Sequence, residues 1–405
     1  MQLKLAWRNL WRNKRRTMIT IGSITFAVFL ACMMLSMQLG TYTRMIDNTV
    51  RFQTGYIQIH QQGYWDEKTL NKSLPVTDSL VNAVKNTPLI TSVVPRLQSF
   101  ALASYQEKTK GSLVIGTDPE AENEITNLKS KLVEGEYFTA NENAVLLSEG
   151  LANFLQIGVN DTIVLISQGF RGANAAGKFT VSGIINIPAP DLNNQVVYIP
   201  LSAAQYFYAA ENRVTALALM VREPEDMKKA QANLLEKFGG QYEVMNWRDM
   251  MPELVQSIEL DRVSGEIMMY ILYAVIAFGI FGTFLMMTNE RHYEFGILIS
   301  IGMRRVRLIL VMLAETIFMG LLGVVAGSIL SAPFIFYFYN NPIYMGGEYA
   351  EIYAKFGLEP ILPFSIDPEI FYRQAVVVLV ISLLVGLYPV VKIWRLDSAT
   401  AIRDK

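Results

Sequence analysis

Four long stretches of this 405-residue chain carry almost no charge, and they limit what it can fold into. Thr17 to Thr43, Ile267 to Asn289 and Gln374 to Val391 contain no charged residue. The run that begins after Arg307 and reaches about Tyr339 is interrupted only by Glu315. A helix needs roughly 20 apolar residues, at about 1.5 Å of rise each, to cross a bilayer. Transmembrane helices are therefore expected at 17–43, 267–289, 307–339 and 374–391. The first is longer than a signal-peptide core, and no small-residue cleavage site follows it. The expected fold is an α-helical membrane protein with four transmembrane helices plus a large mixed α/β extracytoplasmic domain inserted between helices 1 and 2. A hydrophobic content of 52% and a net charge of −1 agree with a membrane part plus a folded domain. They offer no strong field for nucleic acid.

Basic residues set the orientation. Lys4, Arg8, Arg12, Lys14, Arg15 and Arg16 precede the first span, and Arg291, Arg304, Arg305 and Arg307 lie between the second and third. Lys392, Arg395, Arg403 and Lys405 follow the fourth, whereas 340–373 carries Glu348, Glu351, Glu359, Asp367 and Glu369. Residues 1–16, the loop 290–306 and the tail 392–405 are thus expected in the cytoplasm. Residues 44–266 and the loop 340–373 are expected outside.

The 290–306 loop is unusual for a connector. It carries charge at both ends and an apolar stripe at helical spacing, Phe295, Leu298, Ile299 and Gly302. Exposing such residues to water gains nothing unless another protein covers them. This loop is the expected place where the chain receives force or information. In the N-terminal flank, Leu3, Trp7, Leu10 and Trp11 fall on one helical face and Lys4, Arg8, Arg12 and Arg15 mostly on the other. Trp7, Arg8, Trp11 and Arg12 then suit a helix anchored in the headgroup layer.

Strand-like runs at 55–60, 113–116, 144–147, 162–166, 178–187, 196–199, 216–221 and 242–245 interleave with helix-like runs at 77–85, 149–155, 201–208 and 223–238. That alternation argues for a mixed α/β domain. One large or two smaller lobes fit its length; the expectation is a second lobe inserted near 100–215. Leu254, Val255, Ile258 and Val263 keep a helical period ahead of the second span, so that helix is expected to continue outward as a stalk.

Several constellations carry little chemistry. Gly172-Ala173-Asn174-Ala175-Ala176-Gly177-Lys178 matches a phosphate-binding loop until Phe179 stands where Ser or Thr should hold magnesium. It reads as a glycine-rich hairpin loop. His60, His292 and Cys32 are scattered, so no metal site is indicated, and no catalytic set assembles. Glu315 lies only eight residues after Arg307 and reads first as a structural partner of an interfacial arginine. Gly320, Gly323 and Gly327 are at helix-packing spacing, as are Gly279 and Gly282. Met33, Met34, Met37, Met268 and Met269 sit toward the outer ends of spans one and two. There they would suit a greasy, variable ligand if they line a cavity.

Together, Glu290-Arg291-x-x-Glu294-Phe295-Gly296-Ile297-Leu298-x-x-Ile301-Gly302 and the four-span layout resemble the FtsX-like permease superfamily, the membrane subunits of MacB-type ABC transporters. Phe295 replaces the usual Ile, and Ile299-Ser300 the usual Arg-Ala. The resemblance extends to Leu5–Arg16, Gly116-x-Asp118-Pro119, Leu146–Asp161, Tyr388-Pro389 and the ending Ser398–Arg403. It implies a dimer of permeases, with a second copy or a paralogue. It also implies a MacB-like periplasmic core within 44–266 and a pair of cytoplasmic ATPase subunits that bind ATP and magnesium. Those subunits would grip Glu290, Arg291, Glu294, Phe295, Gly296, Ile297, Leu298, Ile301 and Gly302 as a coupling helix. No cofactor is implied in this chain and no enzymatic activity of its own.

Trp247-Arg248 and Pro252-Glu253-Leu254 are similar to the lipoprotein-releasing permeases of the bacterial inner membrane. That likeness implies an acylated lipoprotein or other amphipathic substrate held by the methionines, and a periplasmic lipoprotein carrier near Gln168–Gly177. Drug or peptide efflux and mechanical control of a periplasmic hydrolase are the rival readings within the architecture. A ligand-binding receptor is the rival outside it.

Overall fold

The computed structural model describes residues 2–395 apart from 13, 141, 349, 351–352 and 354–359. Glu351, Glu359, Arg403, Lys405 and the Ser398–Arg403 ending lie outside the described residues. Along the chain the longer helices are α1 (Gln2–Arg12), α2 (Lys14–Thr49), α3 (Asp78–Lys85), α4 (Pro119–Thr126), α5 (Glu149–Leu155), α6 (Leu201–Phe207), α7 (Met227–Phe238), α8 (Pro252–Glu290), α9 (His292–Ser300), α10 (Arg305–Asn340) and α11 (Glu369–Trp394). The chain forms two compact units. One comprises 1–43, 257–344 and 361–405, the other 44–256 and 345–360.

Four helices are long and apolar enough to cross a membrane: Thr17–Thr54, Pro252–Glu290, Arg305–Asn340 and Glu369–Trp394. The helical unit is organised around α10. Its Leu308, Ile309, Met312, Met319 and Val324 share a core with Ile24 and Val28 of α2, Ile276 and Ile280 of α8, and Val378 of α11. Small residues set the spacing. A Cβ at Gly320 would strike Ser382 of α11, one at Gly323 would strike Ile24 of α2, and one at Gly327 would strike Val28 and the Thr25 carbonyl. Close backbone approach of this kind maximises van der Waals contact where lipid removes the hydrophobic driving force. Gly282 of α8 differs, with open space where a side chain would project.

The other unit contains β1 (Ile57–Gln61), β2 (Leu74–Pro75), β3 (Ile90–Tyr105), β4 (Lys108–Thr117), β5 (Leu132–Gly135), β6 (Ala144–Ser148), β7 (Thr162–Gln168), β8 (Asn174–Ile185), β9 (Val196–Pro200), β10 (Arg213–Val214), β11 (Ala216–Val221) and β12 (Tyr242–Asn246). The main sheet runs β12-β1-β11-β3-β4-β9-β6-β8-β5, and β7 joins β8 back to β3. The order β3-β4-β9-β6-β8-β7 therefore closes on itself as a six-stranded ring. Alternate residues fill it: Leu97, Ala101 and Ala103 of β3, Val145 and Leu147 of β6, Ile163 and Leu165 of β7, Phe179 and Val181 of β8, and Val197 and Ile199 of β9. This is the period-two burial that ring closure demands.

The open part of the sheet, β12-β1-β11-β3, belongs to a second core with α3 and α7. Ile46, Val50, Leu254 and Val255 pack there too. Residues 97–210, with Leu70, thus form a core but not a separate sheet, because the 16-residue β3 serves both. The glycine-rich segment forms the β7–β8 hairpin, with Gln168 opposite Asn174. Strand β3 falls in none of the expected runs, since Pro95, Arg96, Gln98 and Ser99 break the apolar alternation. Arg96 is tolerated in the core because Glu122 meets it at 2.6 Å, with both side chains fully buried. Its remaining N–H groups donate to the Arg51 and Gln53 carbonyls. The Gly116-x-Asp118-Pro119 motif starts α4: Asp118 caps the helix by accepting from Glu120 and Ala121, and Pro119 takes the first turn.

Candidate functional site

The motif segment folds as α9, a nine-residue helix that follows α8 after a single break at Arg291. Arg291 is its N-cap, at φ −93° and ψ 6°, and its carbonyl accepts from the Phe295 N–H at 2.9 Å. The far end is a glycine-closed turn. Met303 N–H donates to the Leu298 carbonyl at 2.9 Å and Gly302 N–H to the Ile299 carbonyl at 3.0 Å. That paired pattern requires a left-handed residue after the last helical turn, and Gly302 supplies it at φ +100°. The glycine of the motif thus fixes where the helix stops.

The apolar residues of α9 divide between two faces. Phe295 and Gly296 are buried in the chain itself, and Ile299 packs against the same core as Leu10, Leu308 and Met312. Ile297 is half-buried. The outward face holds Tyr293, Glu294, Leu298 and Ile301, with Ile301 79% exposed. The expected stripe of Phe295, Leu298, Ile299 and Gly302 is therefore not one exposed surface. A helix lying on a bundle must bury its own apolar side to stay there, and Phe295 is that anchor. Leu298, Ile301 and Gly302 remain exposed on the outer side, edged by Glu294 and Arg304.

A polar network fixes this helix. Glu315, on α10 and 1% exposed, accepts from Arg291 Nη1 at 2.9 and 3.1 Å and from Asn9 Nδ2 at 2.8 Å. Arg12 Nη2 donates to Glu294 Oε2 at 2.5 Å. Lys392 meets Asn289 at 2.5 Å and Arg305 donates to the Trp394 carbonyl at 3.1 Å, so α8, α10 and α11 are tied together at this same end. Glu315 thus pairs with an arginine of the motif rather than with Arg307. Asn9 completes the arrangement, although a neutral residue between Arg8 and Leu10 gives no sequence signal.

In the N-terminal helix, Ala6 and Leu10 are buried, while Leu3, Trp7 and Trp11 remain exposed to different degrees. Trp7 meets Phe318 of α10 edge-on at 5.8 Å and Trp11 at 5.9 Å. Arg8 is exposed. The methionines do not share one face. Met268 is 57% exposed and its neighbour Met269 only 4%, whereas Met33 and Met37 pack on the bundle core and Met34 is half-buried. Among the described residues, no group of three or more His, Cys, Asp or Glu is placed to hold a metal ion.

Two family models match the chain. The MacB-like periplasmic core domain covers residues 17–237, and the FtsX-like permease C-terminal region covers residues 266–397. The lipoprotein-releasing system transmembrane protein LolC of Neisseria meningitidis serogroup B is 22% identical over 321 residues, covering 77% of this chain and 75% of that protein. The macrolide export ATP-binding/permease protein MacB of Nitrosomonas europaea is 24% identical over 368 residues, covering 83% of this chain. The chain spans about half of that MacB, 52% of its length. The periplasmic region of MacB from Actinobacillus actinomycetemcomitans is similar over 53% of this chain and 98% of that chain, at 17% identity and a TM-score of 0.36. The extracellular domain of the transporter YknZ from Gram-positive bacteria covers 47% of this chain and 99% of that chain, at 16% identity and a TM-score of 0.34.

Proposed function

The chain belongs to the ABC transporter permeases that join a MacB-like periplasmic core to an FtsX-like membrane region, and from that membership we propose that it converts ATP hydrolysis by a separate cytoplasmic subunit into work outside the membrane. The observation that carries this reading is the outward face of α9. Leu298 and Ile301 are exposed on a short helix whose other face, through Phe295, is locked into the bundle. An apolar patch held this firmly suits a docking site. In this reading both termini and α9 lie in the cytoplasm of a bacterial inner-membrane protein, following the basic residues. Residues 44–256 lie in the periplasm, inserted between the first two spans. The long helices α2 and α8 carry the stroke outward, and a second permease copy or a paralogue completes the transporter.

The substrate we propose is an acylated lipoprotein, extracted from the outer leaflet and passed to a periplasmic carrier. LolC relatives and the apolar, flexible methionines Met33, Met34 and Met37 support it. Macrolide export is the second reading, favoured by the MacB relatives, one of which aligns over 83% of the chain. The two separate in proteoliposomes holding the chain, its ATPase subunit and a triacylated lipoprotein. ATP-dependent release of the lipoprotein to an added carrier is the expected result. Export of a macrolide with no lipoprotein release overturns the first reading in favour of the second.

A further inference from the structure

We infer that the N-terminal helix α1 is a clamp that orients α9 for its partner, with Asn9 and Arg12 as positioning residues. The inference rests on the docking role proposed above and adds a requirement to it. Nine residues cannot hold a helix in water on their own. Helix α9 is also bounded by non-helical residues, Arg291 at its start and Gly302 after its end. Its orientation must therefore come from its contacts. Phe295 fixes it on the core side. On the polar side, two side-chain contacts lead from α9 and its cap to α1 or to the residue that α1 also holds. Arg12 reaches Glu294 directly, and Asn9 reaches Glu315, the carboxylate that binds Arg291.

The two contacts differ in kind. The Arg291–Glu315 pair is enclosed, so deleting one partner strands a charge and endangers the whole fold. The Arg12–Glu294 pair is exposed, with 55% and 48% of the two side chains accessible. A pair this open adds little to stability. Its consequence is direction: it pins the outward edge of α9 to a helix whose own Ala6 and Leu10 are seated against the bundle.

Charge reversal isolates this role. Full-length chain is reconstituted with its ATPase subunit, and the subunit concentration giving half-maximal substrate-stimulated ATPase activity is measured alongside the melting temperature of the chain alone. Arg12→Glu and Glu294→Arg are each expected to raise that concentration by up to about fivefold, the upper end of what an exposed ion pair is worth, without moving the melting temperature. The double variant Arg12→Glu with Glu294→Arg is expected to return within about twofold of wild type, and Arg12→Lys to remain near it. Unchanged docking in Arg12→Glu overturns the clamp. So does a Glu294→Arg defect that the double variant fails to repair, because Glu294 then touches the partner itself. Asn9→Leu tests the buried arm, and normal docking there contradicts it. Wild-type chain that binds no ATPase subunit is a different failure, that of the docking reading.

Discussion

Arg291 Nη1 lies 2.9 Å from Glu315 Oε2, and the two side chains are 8% and 1% exposed. The cap of the short helix α9 is thereby pinned to the middle helix of the bundle. A buried carboxylate with its arginine removed, or the reverse, is an uncompensated charge in an apolar setting. Glu315→Ala is expected to cost about 3–5 kcal/mol and lower the melting temperature of the detergent-purified chain sharply. Replacing both partners, as Arg291→Met with Glu315→Leu, should recover most of that loss. An unaltered melting temperature in Glu315→Ala contradicts the pairing.

His60 gives the mixed α/β unit an acid sensitivity. Its ring is buried between Tyr64 and Trp65, at centroid distances of 5.1 and 5.6 Å, and burial pushes its pKa down to about 3. Only Nε2 has a partner, Gln58 Oε1 at 2.6 Å. The unfolded chain binds a proton near pH 6.5 that the folded chain refuses. Stability is therefore complete above that pH and falls as the pH drops toward the folded value. Between pH 7 and 5.5 the loss should be about 1 kcal/mol, and His60→Phe should remove that slope. Chemical denaturation at the two pH values measures it; equal slopes in both proteins reject the assignment.

Gly116 sits where β4 passes beneath α6, and a Cβ there would overlap Ala204. Gly116→Ala is expected to destabilise the chain by about 1–3 kcal/mol through overpacking. Adding Ala204→Gly opens the contact. The double variant should then lose less than the two single losses summed, a coupling that urea titration of the four proteins resolves. Strict additivity means the contact is not what Gly116 protects.

These particulars mark how far the sequence could be read. The spans were legible because charge is excluded from lipid over a helix length, and α9 because its motif and charged ends are local. The face of α9 that meets the bundle was not. Periodicity places Phe295, Leu298, Ile299 and Gly302 together, but only packing decides that Phe295 goes inward while Ile301 stays 79% exposed. Asn9 was invisible because its meaning depends on Glu315, 306 residues away. Strand β3 was hidden in part by Arg96, whose burial makes sense only with Glu122 beside it. The ring through β7 was hidden for a similar reason: strand order is set by pairings far apart in the chain, not by any one strand's composition.

The central claim is that a separate ATPase grips the outward face of α9. The most direct measurement is the affinity of the purified ATPase subunit for the full-length chain carrying Leu298→Asp and Ile301→Asp, compared with wild type in the same nanodiscs. These side chains are exposed, so the variant should melt as wild type does. The account predicts that subunit binding falls by at least about a hundredfold and that substrate-stimulated ATP hydrolysis disappears with it, the scale of losing two central apolar contacts. Undiminished binding with normal ATP-driven activity would contradict it.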